Sequence, residues 1–315
     1  MKSLKYVQKQ AVCNLCGGGN FLEISKRDRH DLNITSALCT QCGVIAINPR
    51  MSPEDYDDLY QSGENHRLWM ELNNTTKVPD FAERYKGAYQ FGRKVAEAVK
   101  QHIGTGLAVE VGSGTGAVLA AFRDVAGIKM VKGIDPSPEE AAVAEAHGVP
   151  TLVKAFELCT PDDVAPETIM SCQSLNHQYD SKGFLEWSHR ILPESGTLVL
   201  VVLDFFALAR KLCSVDRATQ VDHIYMFTPD TLKQYVTVAG FDIVEFKEQM
   251  PTSLHMTLIA KKAKRVALKE PISNPKIVRD TKEQLARIRR GCFWPTRKRA
   301  LKLFLKSLYS SFSRA

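Results

Sequence analysis

Ten residues, Leu107-Ala-Val-Glu-Val-Gly-Ser-Gly-Thr-Gly116, carry the sharpest chemical signal in the chain. A short apolar run holds one acid, Glu110, then breaks into glycines spaced GxGxG, at Gly112, Gly114 and Gly116, around Ser113. An amphipathic segment, 117–125, follows at once, so the pattern predicts a buried strand, a tight turn and a helix. Glycines in such a turn let a bulky cofactor approach the backbone. Nineteen residues past Gly116, a second apolar run, Met130-Val-Lys-Gly-Ile134, ends in Asp135, placed to accept a ribose diol. The rival, a dinucleotide GxGxxG turn, would carry its third glycine one position later, and Glu110 is foreign to it.

A second constellation is sulfur. Cys13 and Cys16, then Cys39 and Cys42, form two CxxC pairs with 22 residues between them, and Gly17 and Gly43 follow the pairs. Four thiolates at this spacing suit a closed, structural, tetrahedral Zn2+, and the glycines permit turns that aim backbone amides at sulfur. A segment of about 40 residues is too small to hold its own core. Zinc would supply roughly 10–16 kcal/mol of apparent binding energy to fold it. A redox dithiol is the alternative, which the pairing of knuckles disfavours. Cys159, Cys172, Cys213 and Cys292 lack ligand spacing and read as ordinary thiols.

Two histidines stand at predicted strand ends. His177 closes Ile169-Met-Ser-Cys-Gln-Ser-Leu-Asn-His177, and His223 lies in Asp222-His-Ile-Tyr-Met-Phe-Thr-Pro229. Either could serve as a general base with a pKa near neutrality. Each could equally hydrogen-bond a loop backbone; the context favours His223 as the base, with Asp222 able to hold its ring if the side chains meet. Phe156 is open between stacking on adenine and packing in the core. The remaining histidines, His255 and His66 among them, lack such context.

The elements that would position these residues alternate. A helix over 80–103 leads to strands at 107–111, 129–134, 151–153, 167–172 and 197–203, with helices at 116–125, 138–147, 181–191 and 229–239 between and after them. Strands at 241–247 and 254–260 close the series. This predicts an α/β fold, a mostly parallel sheet with helices on both faces and ligands at the carboxyl ends of its strands. The organisation expected is a ribbon over 1–50, a helical linker over 51–103, the catalytic domain over 104–262 and a basic tail over 263–315. Ser52 and Pro53 mark a helix start in the linker.

Motif for motif, Glu110 to Gly116 with Asp135 resembles motif I and its partner acid in the class I S-adenosylmethionine (SAM)-dependent methyltransferases. The tripeptide Leu175-Asn-His177 resembles their "LEH" segment, with asparagine replacing the acid. The four-cysteine segment runs into Val44-Ile-Ala-Ile-Asn-Pro-Arg50 and so resembles the zinc-ribbon methyltransferases of bacterial sugar and surface-polysaccharide pathways, over about 11–260. The resemblance implies a seven-stranded Rossmann-like sheet and SAM held by Glu110, Gly112, Ser113, Gly114, Gly116 and Asp135. It also implies structural Zn2+ on the cysteines, a nucleotide sugar or glycan as acceptor, and His223 facing that acceptor. An RNA methyltransferase and a non-catalytic SAM-fold scaffold are the alternatives.

Charge is divided unevenly. Residues 261–315 hold 17 Lys and Arg against 3 Asp and Glu, and the other 260 residues are net −7. The acidic body disfavours nucleic acid as a partner. In the tail, a mobile arm with a helix over 281–290 is expected. Beyond it Leu301, Phe304, Leu305, Leu308 and Phe312 repeat at helical spacing amid Arg297, Lys298, Arg299, Lys302 and Lys306. That composition suits a helix on an anionic membrane surface, or one packed on the body or a second subunit. The N-terminus lacks a signal-peptide core, so the expected location is cytoplasmic, at or near the inner membrane face.

Overall fold

The computed structural model describes residues 5–160, 163–263 and 272–291. Three short strands open the chain, β1 (Phe21–Ser25), β2 (Ser36–Cys39) and β3 (Ile45–Ile47). Helices α1 (Pro53–Gln61), α2 (Glu64–Asn73) and α3 (Phe81–Val99) follow. Ser52 caps α1 by accepting from the Asp55 amide, with Pro53 in the first turn, as its sequence predicts.

The alternating series then begins: β4 (Leu107–Val111), α4 (Ala117–Ala126), β5 (Met130–Ile134), α5 (Pro138–Ala146), β6 (Thr151–Leu152) and β7 (Thr168–Cys172). It continues with α6 (Ser181–Ile191), β8 (Thr197–Leu203), α7 (Phe205–Leu212), the single turn α8 (Val215–Ala218) and β9 (Tyr225–Met226). Helix α9 (Pro229–Val238), β10 (Phe241–Glu248), β11 (His255–Lys262) and α10 (Pro275–Gly291) complete the described chain. The main sheet has the order β10-β11-β8-β7-β4-β5-β6. Strands β4 to β8 pair in parallel, and β11 runs antiparallel to both β8 and β10. This is the seven-stranded Rossmann-like architecture expected from the alternation.

Side chains alternate across the sheet, so each central strand feeds two cores. Val109, Ile169, Leu198, Leu200 and Val202 face one core, where Phe184, Trp187, Leu232 and Val236 from α6 and α9 pack. Ala108, Met170, Val199 and Val201 face the other, under Val95, Val99, Leu119 and Phe122 of α3 and α4. The first core does not stop at the sheet. It is continuous with Leu15, Leu38, Ile45 and Ile47 of the N-terminal strands.

The N-terminal strands form a second sheet, β1-β2-β3-β9, whose last member comes from the far side of the chain. Ile45 pairs with Met226 and Ala46 with Tyr225. The strand β9 had no warning in the sequence: at two residues it is too short to show a period.

Helix α10 is longer than the helix expected in the tail, and it is docked. Val278, Thr281, Leu285 and Ile288 are buried along one face, which packs on α7 and α8. At its start the Asn274 amide donates to the Gln41 carbonyl at 2.8 Å, between the last two cysteines of the N-terminal set. Gly43 is in the left-handed region, and a Cβ there would lie 2.6 Å from Ile277 Cγ2. The mobile arm is therefore corrected over 275–291: an apolar stripe at helical spacing found a surface to bury it. Phe293, Trp294 and the stripe Leu301 to Phe312 lie outside the described residues. Among the described residues no helix is long and apolar enough to cross a membrane.

Leu285 is 3% exposed, and Leu285→Ala should cost about 2–5 kcal/mol, the usual range for a truncated core leucine. Urea denaturation followed by circular dichroism measures it. A loss within 0.5 kcal/mol, the ordinary scatter of surface substitutions, would mean that α10 is not docked as described.

Candidate active site

The glycine turn is built by hydrogen bonds from both neighbouring strands. At the end of β4 the Gly112 amide donates to the Ile134 carbonyl at 2.8 Å, and the Gly114 amide to Asp135 Oδ2 at 2.8 Å. Asp135 Oδ1 takes the Ser137 amide at 2.9 Å. Gly112 has φ of 73°, and a Cβ there would lie 2.5 Å from the Ser174 Cβ, so only glycine lets the β7 loop approach. Ser174 uses that closeness. Its hydroxyl donates to the Val111 carbonyl at 2.6 Å and accepts from Ser171 at 2.7 Å. Gly116 caps α4, also at positive φ.

Two polar atoms at this turn are buried without a hydrogen-bond partner among the described residues, Glu110 Oε2 and Ser113 Oγ. Glu110 is 1% exposed, and burial pushes its carboxyl well above the usual range, with Asp135 adding to the rise and Cys172 opposing it. Orphaned acceptors and donors inside a glycine turn are what a ribose and a charged amino-acid group would satisfy. The residues present therefore fit SAM. Glu110, Gly112, Ser113, Gly114, Gly116 and Asp135 all stand at this one turn. Phe156 stands edge-on to Phe184 and Trp187 and is 6% exposed, which makes it a core residue.

Three residues beyond Ser174 the chain presents His177, and His223 comes to meet it from the loop before β9. Their rings lie edge to face, centroids 4.4 Å apart. Asp222 does not hold the His223 ring; its Oδ2 lies 3.9 Å from Nδ1 of His177. Ligand atoms of His177, Asp222 and His223 all fall within 4.8 Å of one another. Tyr60 on α1 reaches His177 Nδ1 at 2.9 Å. The Tyr56 hydroxyl sits 2.9 Å from the His177 carbonyl and 2.6 Å from that of Asp222, and so ties the two loops together. These tyrosines were missed from sequence, although their spacing of four on α1 puts both on one face.

The electrostatics separate the two histidines. Burial, helped by nearby His177, pushes His223 down to about 3, so its ring is neutral. Burial alone would raise Asp222, but its histidine neighbours and the Arg29 guanidinium outweigh it and hold the carboxylate low. His255, without context in the sequence, turns out to bond Gln173 Oε1 at 3.2 Å and Thr252 Oγ1 at 2.6 Å. Tyr225 is buried and packed: it takes a bond from Arg50 at 2.7 Å and donates to the Tyr179 carbonyl.

The four cysteines also converge. Cys13 and Cys42 sulfurs are 3.5 Å apart, as are those of Cys16 and Cys39, and all four fall within 4.8 Å of one another. A tetrahedron with metal–sulfur bonds near 2.3 Å needs sulfurs about 3.8 Å apart, so the set fits a single ion. Gly17 and Gly43 are both at positive φ, and their amides return to the carbonyls of Cys13 and Cys39. The Gly18 amide points at the Cys16 sulfur at 3.4 Å.

Several known proteins are similar to parts of this chain. An uncharacterised protein of Methanocaldococcus jannaschii, MJ1123, is 29% identical over 108 residues, which are 34% of this chain. The chain spans about half the length of that curated relative. Among solved structures, a SAM-dependent methyltransferase from Clostridium acetobutylicum is 13% identical, with TM-score 0.45 over 64% of this chain and 99% of that one. Human N-acetylserotonin methyltransferase with SAM is 17% identical, TM-score 0.48, over 68% of this chain and 60% of that one. A chain of the complex of the Haloferax volcanii Trm112 methyltransferase activator with its methyltransferase is 19% identical, TM-score 0.48, over 60% and 96%. A family profile described as a methyltransferase domain matches residues 81–246, just over half of the chain and the whole of the cofactor turn. The chain thus belongs to the methyltransferase-domain family.

Proposed function

We propose that the chain methylates a sugar nucleotide or a bacterial surface glycan, using His177 to accept the acceptor's proton. The observation that carries this reading is the meeting of His177, Asp222, His223 and Tyr60 three residues from the serine that closes the cofactor turn. SAM supplies a methyl group on a cationic sulfur, already activated for in-line displacement. What remains for the protein is to orient an acceptor and take its proton.

His177 suits that task better than His223, which reverses the ranking from the sequence. Nδ1–H donating to Tyr60 leaves Nε2 as the proton acceptor, and Asp222 beside Nδ1 stabilises the imidazolium that forms. His223, buried and neutral, forms the wall against which the His177 ring stands. Tyr60, exposed beside His177, offers an aromatic ring, which suits the apolar face of a sugar ring. A structural Zn2+ on Cys13, Cys16, Cys39 and Cys42 is part of the same proposal. Its work is to hold the sheet that β9 joins.

Incubating the full chain with methyl-labelled SAM and separate pools of nucleotide sugars, glycan and RNA tests the acceptor. Label should enter the sugar-bearing pools; label confined to RNA would overturn the proposal. His177→Ala should lower turnover about 10²–10⁴-fold while calorimetric SAM binding is unchanged. Parent-like turnover would remove His177 from the reaction.

The buried His223 has a pH signature. Folding lowers its pKa from 6.5 to about 3, so its contribution to stability is complete above pH 6.5 and is lost as pH falls toward 3. His223→Asn should therefore flatten the acid side of a plot of thermal midpoint against pH. Identical slopes for variant and parent between pH 6.5 and 4 would show that His223 is not buried as a neutral ring.

A further inference from the structure

The first turn of α5 holds a carboxylate that the cofactor motif does not account for. Glu140 is partly buried, and its Oε1 is ion-paired with the guanidinium of Arg84 on α3. Its Oε2 is buried and has no hydrogen-bond partner among the described residues. That free oxygen faces the glycine turn. A Cβ built on Gly114 would have Glu140 Oε2 as its near neighbour, at 3.6 Å.

Asp135 and Glu140 share one local frame. The Ser137 amide donates to Asp135 Oδ1 at 2.9 Å, and the Ser137 hydroxyl accepts the Glu140 amide at 3.3 Å. Both oxygens of Asp135 are already engaged by backbone amides, from Gly114 and Ser137. Glu140 keeps a whole oxygen unengaged at the same turn. A buried carboxylate oxygen without a donor is costly unless a ligand completes it. Burial raises the Glu140 carboxyl and Asp135 adds to the rise, while Arg84, foremost, and His66 oppose it. Arg84, braced over the Phe81 ring at 5.4 Å, thus both aims the side chain and favours its charged form.

We propose that Glu140 is a further cofactor-contacting residue, its free oxygen accepting a ribose hydroxyl of SAM beside Asp135, with Arg84 as its positioning residue. The pairing also ties the start of α3 to the first turn of α5 beside the glycine turn. The inference rests on SAM as the cofactor of this turn.

Titration calorimetry of the full chain with S-adenosylhomocysteine and its 2′-deoxy and 3′-deoxy analogues tests it. Glu140→Met should weaken S-adenosylhomocysteine about 10–100-fold, the worth of a hydrogen bond to a charged group. The same substitution should leave unchanged the affinity of whichever deoxy analogue lacks the contacted hydroxyl. Arg84→Met should weaken binding less, and its effect should vanish in the Glu140→Met background. Glu140→Gln preserves volume and should fall between parent and Glu140→Met. Parent-like binding by Glu140→Met, or an equal loss for all three ligands, would overturn the role of Glu140. A parent chain that binds none of them would instead overturn the cofactor reading on which the inference rests.

Discussion

Two residues of backbone pairing hold this protein's chemistry together. Where β3 meets β9, Ile45 pairs with Met226 and Ala46 with Tyr225, and the Ile47 amide donates to the Ile224 carbonyl at 2.9 Å. One step upstream of that ladder stands His223; a few residues upstream of β3 stand Cys39 and Cys42. The four-cysteine segment is therefore not an appendage. A strand with so little hydrogen bonding of its own needs a rigid partner, because an isolated pair of short strands is marginal in water. A metal on the clustered sulfurs, as proposed, would make β2 and β3 rigid, and the shared apolar core around Ile45, Ile47 and Tyr225 joins them to the histidine loop.

The cofactor side obeys a different constraint. Gly112, Gly114 and Gly116 all adopt positive φ, and the resulting turn leaves Glu110 and Ser113 with unsatisfied polar atoms. Buried polar groups are ordinarily paired, so these atoms point to a ligand at the turn. Ser174 links the two halves. By bonding Val111 and packing on Gly112, it sets the distance between the cofactor turn and the element that presents His177. Positioning of this kind is what methyl transfer requires, because the leaving group is activated before it arrives.

The sheet was readable because its strands are apolar runs separated by helices with caps: Ser52, Asp80, Ser137 and Thr228 each accept from an amide three residues on. The cofactor turn was readable because glycine spacing and a distant acid are local signals. The histidine pair was only half readable. Sequence placed His177 and His223 at strand ends, but their meeting, the turn of Asp222 toward His177, and the tyrosines of α1 depend on tertiary packing. Burial likewise decides that His223 stays neutral, and no spacing rule encodes burial. His255 illustrates the same limit: it lies far from Gln173 in the chain and bonds it only because β11 returns antiparallel beside β8. Helix α10 shows the reverse error, a basic, proline-bearing segment read as mobile because its charge outweighed the buried stripe of Val278, Leu285 and Ile288 that docks it.

Hydrogen–deuterium exchange of the full chain tests the central claim most directly, comparing parent protein with Cys39→Ser and with protein stripped by a chelator. If the cysteine segment positions the histidine loop through β3 and β9, the amides of 223–227 should exchange faster in both treated samples, while β4 and β7 stay protected. Unchanged protection at 223–227, with the cysteine cluster demonstrably broken, would contradict the account.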